Sequence, residues 1–413
     1  MRSRLPSAAS PVSRLVDAIP VLRLNPGREK SLRQRHPWIF SGAIATADAP
    51  PAPGDTVDIL SADGAFMARA AYSPASQIRA RVWTFDPRER VDAAFFARRV
   101  ARAVTARVAM QDADHTGCRL IHGESDGLPG VIADRYADTV VLQLSSAGAE
   151  RWRDAIVAAL VGATAAACVF ERSDADVRKL EGLAPRIGVA HGRLPDAVTF
   201  VEGGLAYRAD VVAGQKTGFY LDQRASRAAV RTLAAGREML NAFCYTGGFT
   251  LAALAGGATH VVSIDSSADA IALARENLAR NPALPADRAE WCEADAFAEL
   301  RKLRDRGAGF DLVVADPPKF APTAAHAERA ARAYKDVNLW ALKLLRPGGL
   351  LATFSCSGGV DADLFRKIVA GAALDAGADA SVVGGFGASA DHPVALAFPE
   401  GDYLKGLLIR KSA

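Results

Sequence analysis

Cysteine and long hydrophobic stretches are both scarce in this 413-residue sequence. Its five cysteines form no C-x-x-C pair, which excludes a disulfide framework and the common zinc sites. We therefore expect a chain without metal in a reducing cytoplasm. No apolar run reaches the roughly 18–20 residues that cross a bilayer, so we expect no membrane partner.

The first twenty residues lack the apolar core of a secretory signal, although they carry Arg2, Arg4 and Arg14. This pattern predicts a disordered extension over residues 1–20, with an organellar transit peptide as the alternative. The rest can bury a core, because half of all residues are hydrophobic and only 23% are charged. The length predicts two to four domains of roughly 100–200 residues each.

The net charge of +4 is distributed unevenly along the chain. Residues 1–110 hold 17 Lys and Arg against 9 Asp and Glu, a net of +8, so the remaining residues carry −4. Such asymmetry indicates an N-terminal part that meets a polyanion such as nucleic acid. The alternative is an arginine-rich surface that is merely solvated.

Three zones of different pattern follow the extension. Residues 21–90 contain short apolar stretches with strand-like alternation, separated by Pro and Gly, which predicts a small β-barrel-like domain. Residues 91–204 combine a helical pattern at Phe95–Met110, with Arg107 on its polar side, and a Gly- and Pro-rich loop at Arg119–Gly130. We expect a central α+β domain there, without an obvious catalytic set.

Residues 205–413 alternate between strand and helix patterns. The expected strands are Glu238–Asn241, His260–Asp265, Glu290–Glu293, Asp311–Asp316 and Gly349–Phe354, and the expected helices are Phe249–Gly256, Ala268–Asn281, Ala296–Arg306 and Ala324–Leu345. Such alternation predicts an α/β domain, a parallel sheet with helices on both faces. The continuously apolar run Leu312–Ala315 fits a strand that is covered on both sides.

Ligand-competent residues end four consecutive strands of this sheet. A turn at Gly247 precedes a helix whose N-terminus offers free N–H groups. Asp265 ends the second strand, where a carboxylate binds ribose hydroxyls, and capping the next helix is the alternative. Asp295 follows the third strand and suits an adenine amino group, with Phe297 against the ring, and Asp316 begins Asp-Pro-Pro after the fourth. Together these features resemble class I S-adenosylmethionine-dependent methyltransferases.

The fifth strand runs into Ser355-Cys356-Ser357, which places a thiol beside the same edge. A thiolate that adds to carbon 6 of a pyrimidine makes carbon 5 able to attack a methyl sulfonium, and Asp316 is the candidate acid at N3. We expect the serine hydroxyls and turn N–H groups to stabilise the thiolate. The other four cysteines are interpreted as small buried apolar residues, which is also the alternative for Cys356.

From about Pro20 onward the sequence resembles the PUA-containing bacterial methyltransferases that form 5-methylcytosine in large-subunit ribosomal RNA. The segments that carry the resemblance are His36–Gly42, Glu124–Gly130, Asp134–Tyr136, Glu171–Asp174, Val177–Gly182, Gly214–Arg224, Phe243–Phe249, Asp316–Phe320, Tyr334–Asp336, Asn338, Phe354–Ser357, Asp391–Pro393 and Tyr403–Gly406. The resemblance implies a PUA-like RNA-binding domain at 21–90, a linking domain at 91–204, and a Rossmann-like domain with a mostly parallel seven-stranded sheet at 205–413. It also implies S-adenosylmethionine as cofactor and ribosomal RNA as partner, and it leaves a homodimer open.

The resemblance further assigns cofactor contacts. It implies that Phe219, Asp222, Gln223 and Arg224 cap the methionine end, where a surface helix arginine is the alternative for Arg224. The other cofactor contacts that it implies are Asn241, Phe243, Tyr245, Gly247, Asp265, Asp295, Ala296 and Asp316.

Substrate residues are assigned with less specificity. Lys319 stands where many RNA cytosine-C5 methyltransferases have a second cysteine, which leaves the base that removes the carbon-5 proton unassigned. His36 and Trp38 would stack on RNA, or Trp38 would anchor the core of its own small domain. His392 is interpreted as structural rather than catalytic.

Two other functions remain open at this point. An RNA guanine N-methyltransferase needs only the Asp-Pro-Pro turn, with Cys356 incidental. A non-catalytic RNA-binding assembly factor would retain the fold, but the intact turn, ribose acid and nucleophile argue against it. A DNA methyltransferase is disfavoured, because PUA-like domains typically bind structured RNA through its shape and backbone.

Overall fold

The computed structural model describes residues 19–47, 51–321 and 327–412, so almost all of the expected N-terminal extension lies outside the described residues. The strands are β1 (Val21–Leu24), β2 (Trp38–Phe40), β3 (Ile44–Ala47), β4 (Thr56–Leu60), β5 (Phe66–Tyr72), β6 (Ile78–Thr84), β7 (Gly117–His122), β8 (Val131–Tyr136), β9 (Thr139–Leu144), β10 (Cys168–Ser173), β11 (Arg186–Gly192), β12 (Val198–Glu202), β13 (Leu205–Ala209), β14 (Glu238–Ala242), β15 (His260–Asp265), β16 (Ala289–Glu293), β17 (Phe310–Ala315), β18 (Leu345–Ser355), β19 (Ala380–Gly387) and β20 (Lys405–Lys411). The helices are α1 (Lys30–Arg33), α2 (Ala93–Thr105), α3 (Ala147–Arg151), α4 (Arg153–Thr164), α5 (Val177–Leu180), α6 (Arg224–Leu233), α7 (Gly248–Ala255), α8 (Ala268–Ala279), α9 (Ala296–Asp305), α10 (Ala327–Leu344) and α11 (Ala362–Ala376). None of these helices has the length and hydropathy that a membrane crossing requires.

The N-terminal sheet has six strands in the order β2-β6-β5-β4-β1-β3. Alternate residues point inward, so that Val57 and Ile59 of β4 are fully buried against Ala68 and Ala70 of β5. This alternation predicted β4 and β5, whereas β1 and β6 were expected from short apolar stretches alone. The short strands β2 and β3 have only three and four residues, too few to show a period.

The central sheet has five strands in the order β11-β10-β9-β8-β7, with α2 and α4 packed together beside it. Its core continues into the N-terminal domain, because a Cβ added at Gly148 would overlap Ala71 and meet the Trp83 ring at 2.9 Å. Arg119–His122 forms most of β7, so the expectation of a loop throughout Arg119–Gly130 is wrong. Loop geometry begins at Gly123, which has a φ of +54°.

The expected position of Arg107 on the polar side of a helix is also wrong. Helix α2 ends at Thr105, and Arg107 is only 2% exposed. Its guanidinium donates two hydrogen bonds to the Asp126 carboxylate, at 2.7 and 2.8 Å. A buried arginine therefore replaces the solvated one that helical spacing had indicated.

The C-terminal sheet has seven strands in the order β16-β15-β14-β17-β18-β20-β19, and β20 alone runs antiparallel to both of its neighbours. This confirms the predicted mostly parallel α/β domain. In the register, Ala242 of β14 pairs with Ile264 and Ala315, and Ala315 pairs with Thr353. The carboxyl ends of four strands therefore meet at one edge. Observed helix and strand bounds lie close to the expected ones, and residues 322–326 before α10 are outside the described residues.

A β-hairpin formed by β12 and β13 turns at Gly203 and Gly204, where the border between the central and C-terminal zones was expected. The hairpin docks on α8, because Asn277 Oδ1 accepts from the Arg208 N–H at 2.8 Å and Asn281 Oδ1 from the Ala206 N–H at 2.9 Å. It therefore packs as part of the C-terminal domain.

Candidate active site

A cavity of about 580 Å³ opens at the carboxyl edge of the C-terminal sheet. It is lined by Gln215, Lys216, Phe219, Tyr220, Asp222, Gln223, Arg227, Phe243, Cys244, Tyr245, Thr246, Gly248, Phe249, Asp265, Ser266, Asp316, Pro317, Pro318, Lys319, Cys356, Tyr403 and Leu404. Its volume is typical of a site for a small organic molecule. Its position agrees with the rule that open α/β sheets bind ligands beyond the carboxyl ends of their strands.

The loop between β14 and α7 has an unusual backbone. Phe243, Tyr245 and Gly247 have φ angles of +63°, +47° and +82°, in the left-handed region that side chains disfavour. The Tyr245 N–H donates to Asp265 Oδ2 at 2.8 Å, which holds the strained turn in place. A Cβ at Gly247 would meet the Trp291 ring at 2.9 Å, so this glycine permits packing beneath the loop, whereas Gly248 lines the cavity.

Asp265 ends β15 and lies on the cavity wall. Its Oδ2 accepts from Tyr245 and its Oδ1 from the Ser267 N–H at 3.0 Å. The alternative that Asp265 caps α8 is wrong, because Ser267 is the N-cap and accepts from the Ala270 N–H.

Asp222 is buried in the same cavity lining, and two side chains donate hydrogen bonds to it. Its Oδ2 accepts from Lys216 Nζ at 2.7 Å and from the Tyr403 hydroxyl at 2.5 Å. Burial alone would raise the pKa of Asp222, but Lys216, His392 and the Tyr403 hydrogen bond hold it below its ordinary value. Asp222 is therefore a carboxylate at neutral pH.

Asp316 has a pKa that is shifted in the opposite direction from that of Asp222. Burial raises its pKa from the usual 3.8 to about 7, and the negative charge of Asp222 adds to the rise. Gln223 Nε2 donates to Asp316 Oδ2 at 3.0 Å, and this hydrogen bond offsets part of the rise in pKa. A carboxyl with such a pKa can hold a proton near neutrality and give it to a base in the cavity.

Cys356 lines the same cavity and is half-buried. Burial and the charge of Asp316 raise the pKa of its thiol, and Lys216 and Lys319 offset the rise only in part. The expectation that neighbouring serines stabilise a thiolate finds no support here, because Ser357 Oγ accepts from the Ala321 N–H at 3.0 Å and bonds the Tyr334 hydroxyl at 2.9 Å, and Ser355 Oγ accepts from the Ser357 N–H at 3.4 Å. Burial lowers the pKa of Lys405 and the charge of Cys356 opposes this fall, so Lys405 is a third cation that interacts with the thiol.

Five residues expected to contact the cofactor lie away from the cavity lining, and Gly247, described above, is one of them. Arg224 contacts Asp391 Oδ1 at 3.0 Å and the Gly117 carbonyl at 3.1 Å, so it is neither exposed nor directed into the cavity. Asn241 is fully buried, with its Nδ2 on Thr250. Asp295 caps α9 by accepting from the Ala298 N–H at 2.9 Å, and Ala296 is the first residue of that helix.

Arg227, Lys216 and Tyr403 line the cavity but were not among the expected site residues. Arg227 is 4% exposed, forms a bidentate ion pair with Glu202 and lies over the Phe219 ring at 4.7 Å. Lys216 and Tyr403 both stood in segments of the resemblance without an assigned role. Their basic and phenolic side chains, in segments that carry the resemblance, were the signal from which a role in the site could have been predicted.

The residues expected to meet RNA separate into two groups. Lys319 is exposed at the cavity mouth. His36 and Trp38 contact other domains instead, because Trp38 Nε1 donates to Glu124 Oε1 at 2.8 Å and His36 Nε2 lies 3.2 Å from Glu400. Trp38 is half-buried and is not part of the core of its own domain.

His392 lies deep between the central and C-terminal domains. It is 3% exposed, and its Nδ1 lies 3.0 Å from Asp391 Oδ1. Burial lowers its pKa, and the Arg119 charge adds to the fall. Its place away from the cavity lining agrees with a structural interpretation.

Three buried oxygens on the cavity wall have no hydrogen-bond partner within the described residues: Asp222 Oδ1, Gln223 Oε1 and Thr246 Oγ1. Buried polar atoms are normally paired, so a ligand completes these groups. A ligand with an ammonium group and ribose hydroxyls suits Asp222 and Asp265, and the N-terminus of α7 suits its carboxylate. The cavity therefore fits S-adenosylmethionine.

The sheet order and the placement of the cavity define a class I methyltransferase. The family described as S-adenosylmethionine-dependent methyltransferase matches residues 189–374, and the PUA-like domain family matches residues 22–85. Among solved structures, the chain is similar to SMU.776, a methyltransferase complexed with SAH, with a TM-score of 0.83 and 22% identity over 95% of this chain and all of that one. It is also similar to an S-adenosylmethionine-dependent methyltransferase from Streptococcus mutans, with a TM-score of 0.80 and 21% identity at the same coverage. At these identities the likeness concerns the fold.

Two curated relatives are much more similar in sequence. "Ribosomal RNA large subunit methyltransferase I" of Shewanella amazonensis is 50% identical over 391 residues, which cover 94% of this chain and 98% of the relative. The protein of the same name from Cronobacter sakazakii is 50% identical over 387 residues, 93% of this chain and 98% of the relative. The chain belongs to the ribosomal RNA large subunit methyltransferase I family, and S-adenosylmethionine is its cofactor.

Proposed function

We propose that this protein transfers a methyl group to carbon 5 of a cytosine in large-subunit ribosomal RNA. The observation that carries the proposal is the placement of Cys356 and Asp316 in one cavity, where the charge of Asp316 acts on the thiol and burial raises the pKa of Asp316 to about 7. A nucleophilic thiol and a carboxylic acid with a pKa near neutrality are the groups that activate carbon 5 for methylation. The names of the relatives support ribosomal RNA as the substrate.

The cofactor supplies an electrophilic methyl group on its sulfonium. We assign its ribose to Asp265 and its ammonium to Asp222 Oδ1, and the rest of its methionine end to Phe219 and Gln223. Phe243 and Tyr245 shape the loop beneath it, and the free N–H groups of α7 begin at Gly248. Asp295 lies outside the cavity lining and caps α9 through Oδ1, so in this proposal only its Oδ2 is left for the adenine amino group.

The chain's own residues then act on the base. The Cys356 thiolate forms a bond to carbon 6 while Asp316 gives its proton to N3, and the electron pair of the 5,6 double bond becomes available at carbon 5. Carbon 5 takes the methyl group and afterwards loses its proton to a base, which re-forms the 5,6 double bond and expels the thiolate, while N3 returns its proton to the Asp316 carboxylate. Lys216 and Lys319 favour the thiolate form, because their charges lower the pKa that burial raises.

The N-terminal domain supports RNA as substrate through its charge. Residues 1–110 carry a net charge of +8, and Lys30 and Arg33 of α1 are exposed. Phosphate contacts from such residues provide affinity and orientation without base specificity. The substrate base would then be selected at the cavity.

A substrate RNA with 5-fluorocytosine at the target position tests this chemistry. Fluorine cannot leave as a proton does, so we expect a covalent protein–RNA species on denaturing gels that forms only with S-adenosylmethionine. Cys356→Ala and Cys356→Ser should form no adduct and transfer no methyl group, while cofactor affinity measured by calorimetry stays unchanged.

Cys292→Ala is the matched control, because Cys292 is half-buried like Cys356 but is not part of the cavity lining. It should trap RNA as the unmodified protein does. A folded, cofactor-binding Cys356→Ala protein that methylates RNA at near the normal rate would exclude carbon-5 chemistry and favour methylation of a base nitrogen.

A further inference from the structure

We propose that residues 388–404, the connection between β19 and β20 that we name the strap, position Asp222 in the cavity, and that Trp38 of the PUA-like domain anchors the strap. Trp38 is then a positioning residue for methyl transfer rather than an RNA contact. The inference rests on the proposed role of Asp222 in cofactor binding.

The ends of the strap hold Asp222 through both its backbone and its side chain. The Ser389 N–H and Ser389 hydroxyl each donate to the Asp222 carbonyl at 2.9 Å. The Tyr403 hydroxyl donates to Asp222 Oδ2 at 2.5 Å. These contacts leave Asp222 Oδ1 as the buried oxygen without a partner in the described part of the chain. The strap therefore determines where the free oxygen of Asp222 points.

The middle of the strap is fixed to the central domain. Asp391 Oδ2 accepts from the Arg119 N–H at 2.9 Å, and the Asp391 carbonyl accepts from Arg107 at 3.2 Å. Further along, the Ala395 N–H donates to Ser125 Oγ at 3.2 Å. Asp391 is fully buried, so these contacts exclude water from this part of the strap.

The last part of the strap is held by aromatic rings of the PUA-like domain. Phe398 is 7% exposed, and its ring lies 4.9 Å from Trp38 and 5.9 Å from His36, centroid to centroid. The Trp38 ring is itself fixed, because Nε1 donates to Glu124. His36 adds a contact to Glu400, two residues beyond Phe398. An aromatic edge-to-face pair of this kind stabilises by more than its buried area alone.

The distance along the chain from this aromatic contact to the cavity is short. Phe398 and Tyr403 are five residues apart, and the segment Pro399–Gly401 between them is a 3₁₀ turn that cannot extend without breaking hydrogen bonds. The Tyr403 N–H is also bonded to the Gly401 carbonyl at 3.1 Å. A loss of packing at Phe398 should therefore displace the Tyr403 hydroxyl, which donates to Asp222.

The neighbouring aromatic residue on β2 offers a matched control. Phe40 is 51% exposed, and its nearest aromatic neighbour is Trp38 at 6.4 Å, with no ring contact to the strap among the described residues. Trp38 and Phe40 are thus both aromatic residues of β2, but of the two only Trp38 contacts Phe398. Replacement of each by alanine separates positioning of the strap from contact with RNA.

The experiment uses the full-length protein carrying Trp38→Ala, Trp38→Phe, Phe398→Ala, Tyr403→Phe or Phe40→Ala. Three quantities are measured: S-adenosylmethionine affinity by calorimetry without RNA, RNA affinity by filter binding, and the single-turnover rate of methyl transfer with both ligands saturating. We expect Trp38→Ala, Phe398→Ala and Tyr403→Phe to weaken cofactor affinity or slow transfer by about tenfold, with RNA affinity within about twofold of normal. Trp38→Phe should restore most of the loss, and Phe40→Ala should leave cofactor affinity unchanged.

The opposite pattern overturns the inference: Trp38→Ala weakens RNA binding alone, and Phe398→Ala and Tyr403→Phe bind cofactor normally. Phe398→Ala keeps the test decisive if Trp38→Ala does not fold, since it removes the same contact from the strap side. Cofactor affinity does not depend on which atom of the base is methylated. Failure of the carbon-5 proposal and failure of the strap are therefore distinguishable.

Discussion

Replacement of Asp316 by asparagine should stabilise the folded protein at alkaline pH, which is unusual for the loss of an active-site carboxylate. The unfolded chain releases the Asp316 proton near 3.8, whereas the folded protein holds it to about 7. Between these two values the folded state binds one proton more, so the free energy of unfolding falls as pH rises, by about 1.4 kcal/mol per unit. The three-unit difference gives about 4 kcal/mol at most.

Asp316→Asn removes this titration and preserves an oxygen that can accept from Gln223 Nε2. The free energy of unfolding of the variant, relative to the unmodified protein, should therefore rise steadily from pH 4 to pH 7 and then level off. The measurement is urea unfolding followed by circular dichroism at several pH values, without cofactor or RNA. Only the difference between the two proteins at each pH is interpreted, because a chain of three domains need not unfold in one step.

Asp311→Asn is the matched control, because Asp311 lies near the other end of the same strand, β17. Burial would raise its pKa, but the Glu238 N–H and the Arg346 guanidinium hold it below the usual value. The stability that Asp311 contributes is therefore present above its unfolded pKa, and Asp311→Asn should destabilise equally at pH 5 and pH 8. If Asp316→Asn shows the same flat difference, the raised pKa of Asp316 and its role as an acid are refuted.

Three further outcomes are expected. Asp265→Asn, which keeps one acceptor for Tyr245, should weaken S-adenosylmethionine binding by about 1.5–3 kcal/mol in calorimetry, since it removes charge-assisted hydrogen bonds to ribose; unchanged affinity would remove Asp265 from the site. Arg227→Gln should destabilise the protein by about 3–5 kcal/mol in urea unfolding, because it leaves Glu202 buried without its cation. RNA affinity should fall steeply with salt, and the double substitution of Lys30 and Arg33 by Gln should lower the slope of log affinity against log salt by about one to two; a salt-independent affinity would exclude phosphate contacts there.

The sheet edge was predictable because its signals are local. Strands such as Leu312–Ala315 are continuously apolar, and helices between them have their own periodicity, so each element can be recognised from a short window. Topology then brings the ends of parallel strands together, which places Asp265, Asp316 and Cys356 in one cavity without any knowledge of their contacts. The prediction of the site from the sequence depended on this step.

Contacts between residues far apart in the chain gave no comparable signal. Tyr403 is 181 residues from Asp222, and Trp38 is 86 from Glu124, so nothing in either neighbourhood identifies the partner. Asp295 shows the limit of local signals too: a carboxylate after a strand equally describes an adenine contact and a helix cap, and Asp295 forms the cap. Sequence therefore locates candidate groups at an edge more readily than it assigns a role to each.

By their positions on the helix, Arg224 and Arg227 are equivalent candidates for an arginine that faces the cavity, and their ion pairs decide between them. They lie three residues apart on α6, on neighbouring parts of the same helical face, so periodicity cannot separate them. The separation comes from acidic residues supplied by other segments: Asp391 of the strap draws Arg224 toward the central domain, and Glu202 of the β12–β13 hairpin holds Arg227 at the cavity. That hairpin spans the border where two domains were expected to divide. Because a buried arginine needs a paired anion, the location of Glu202 determines which arginine faces the cavity.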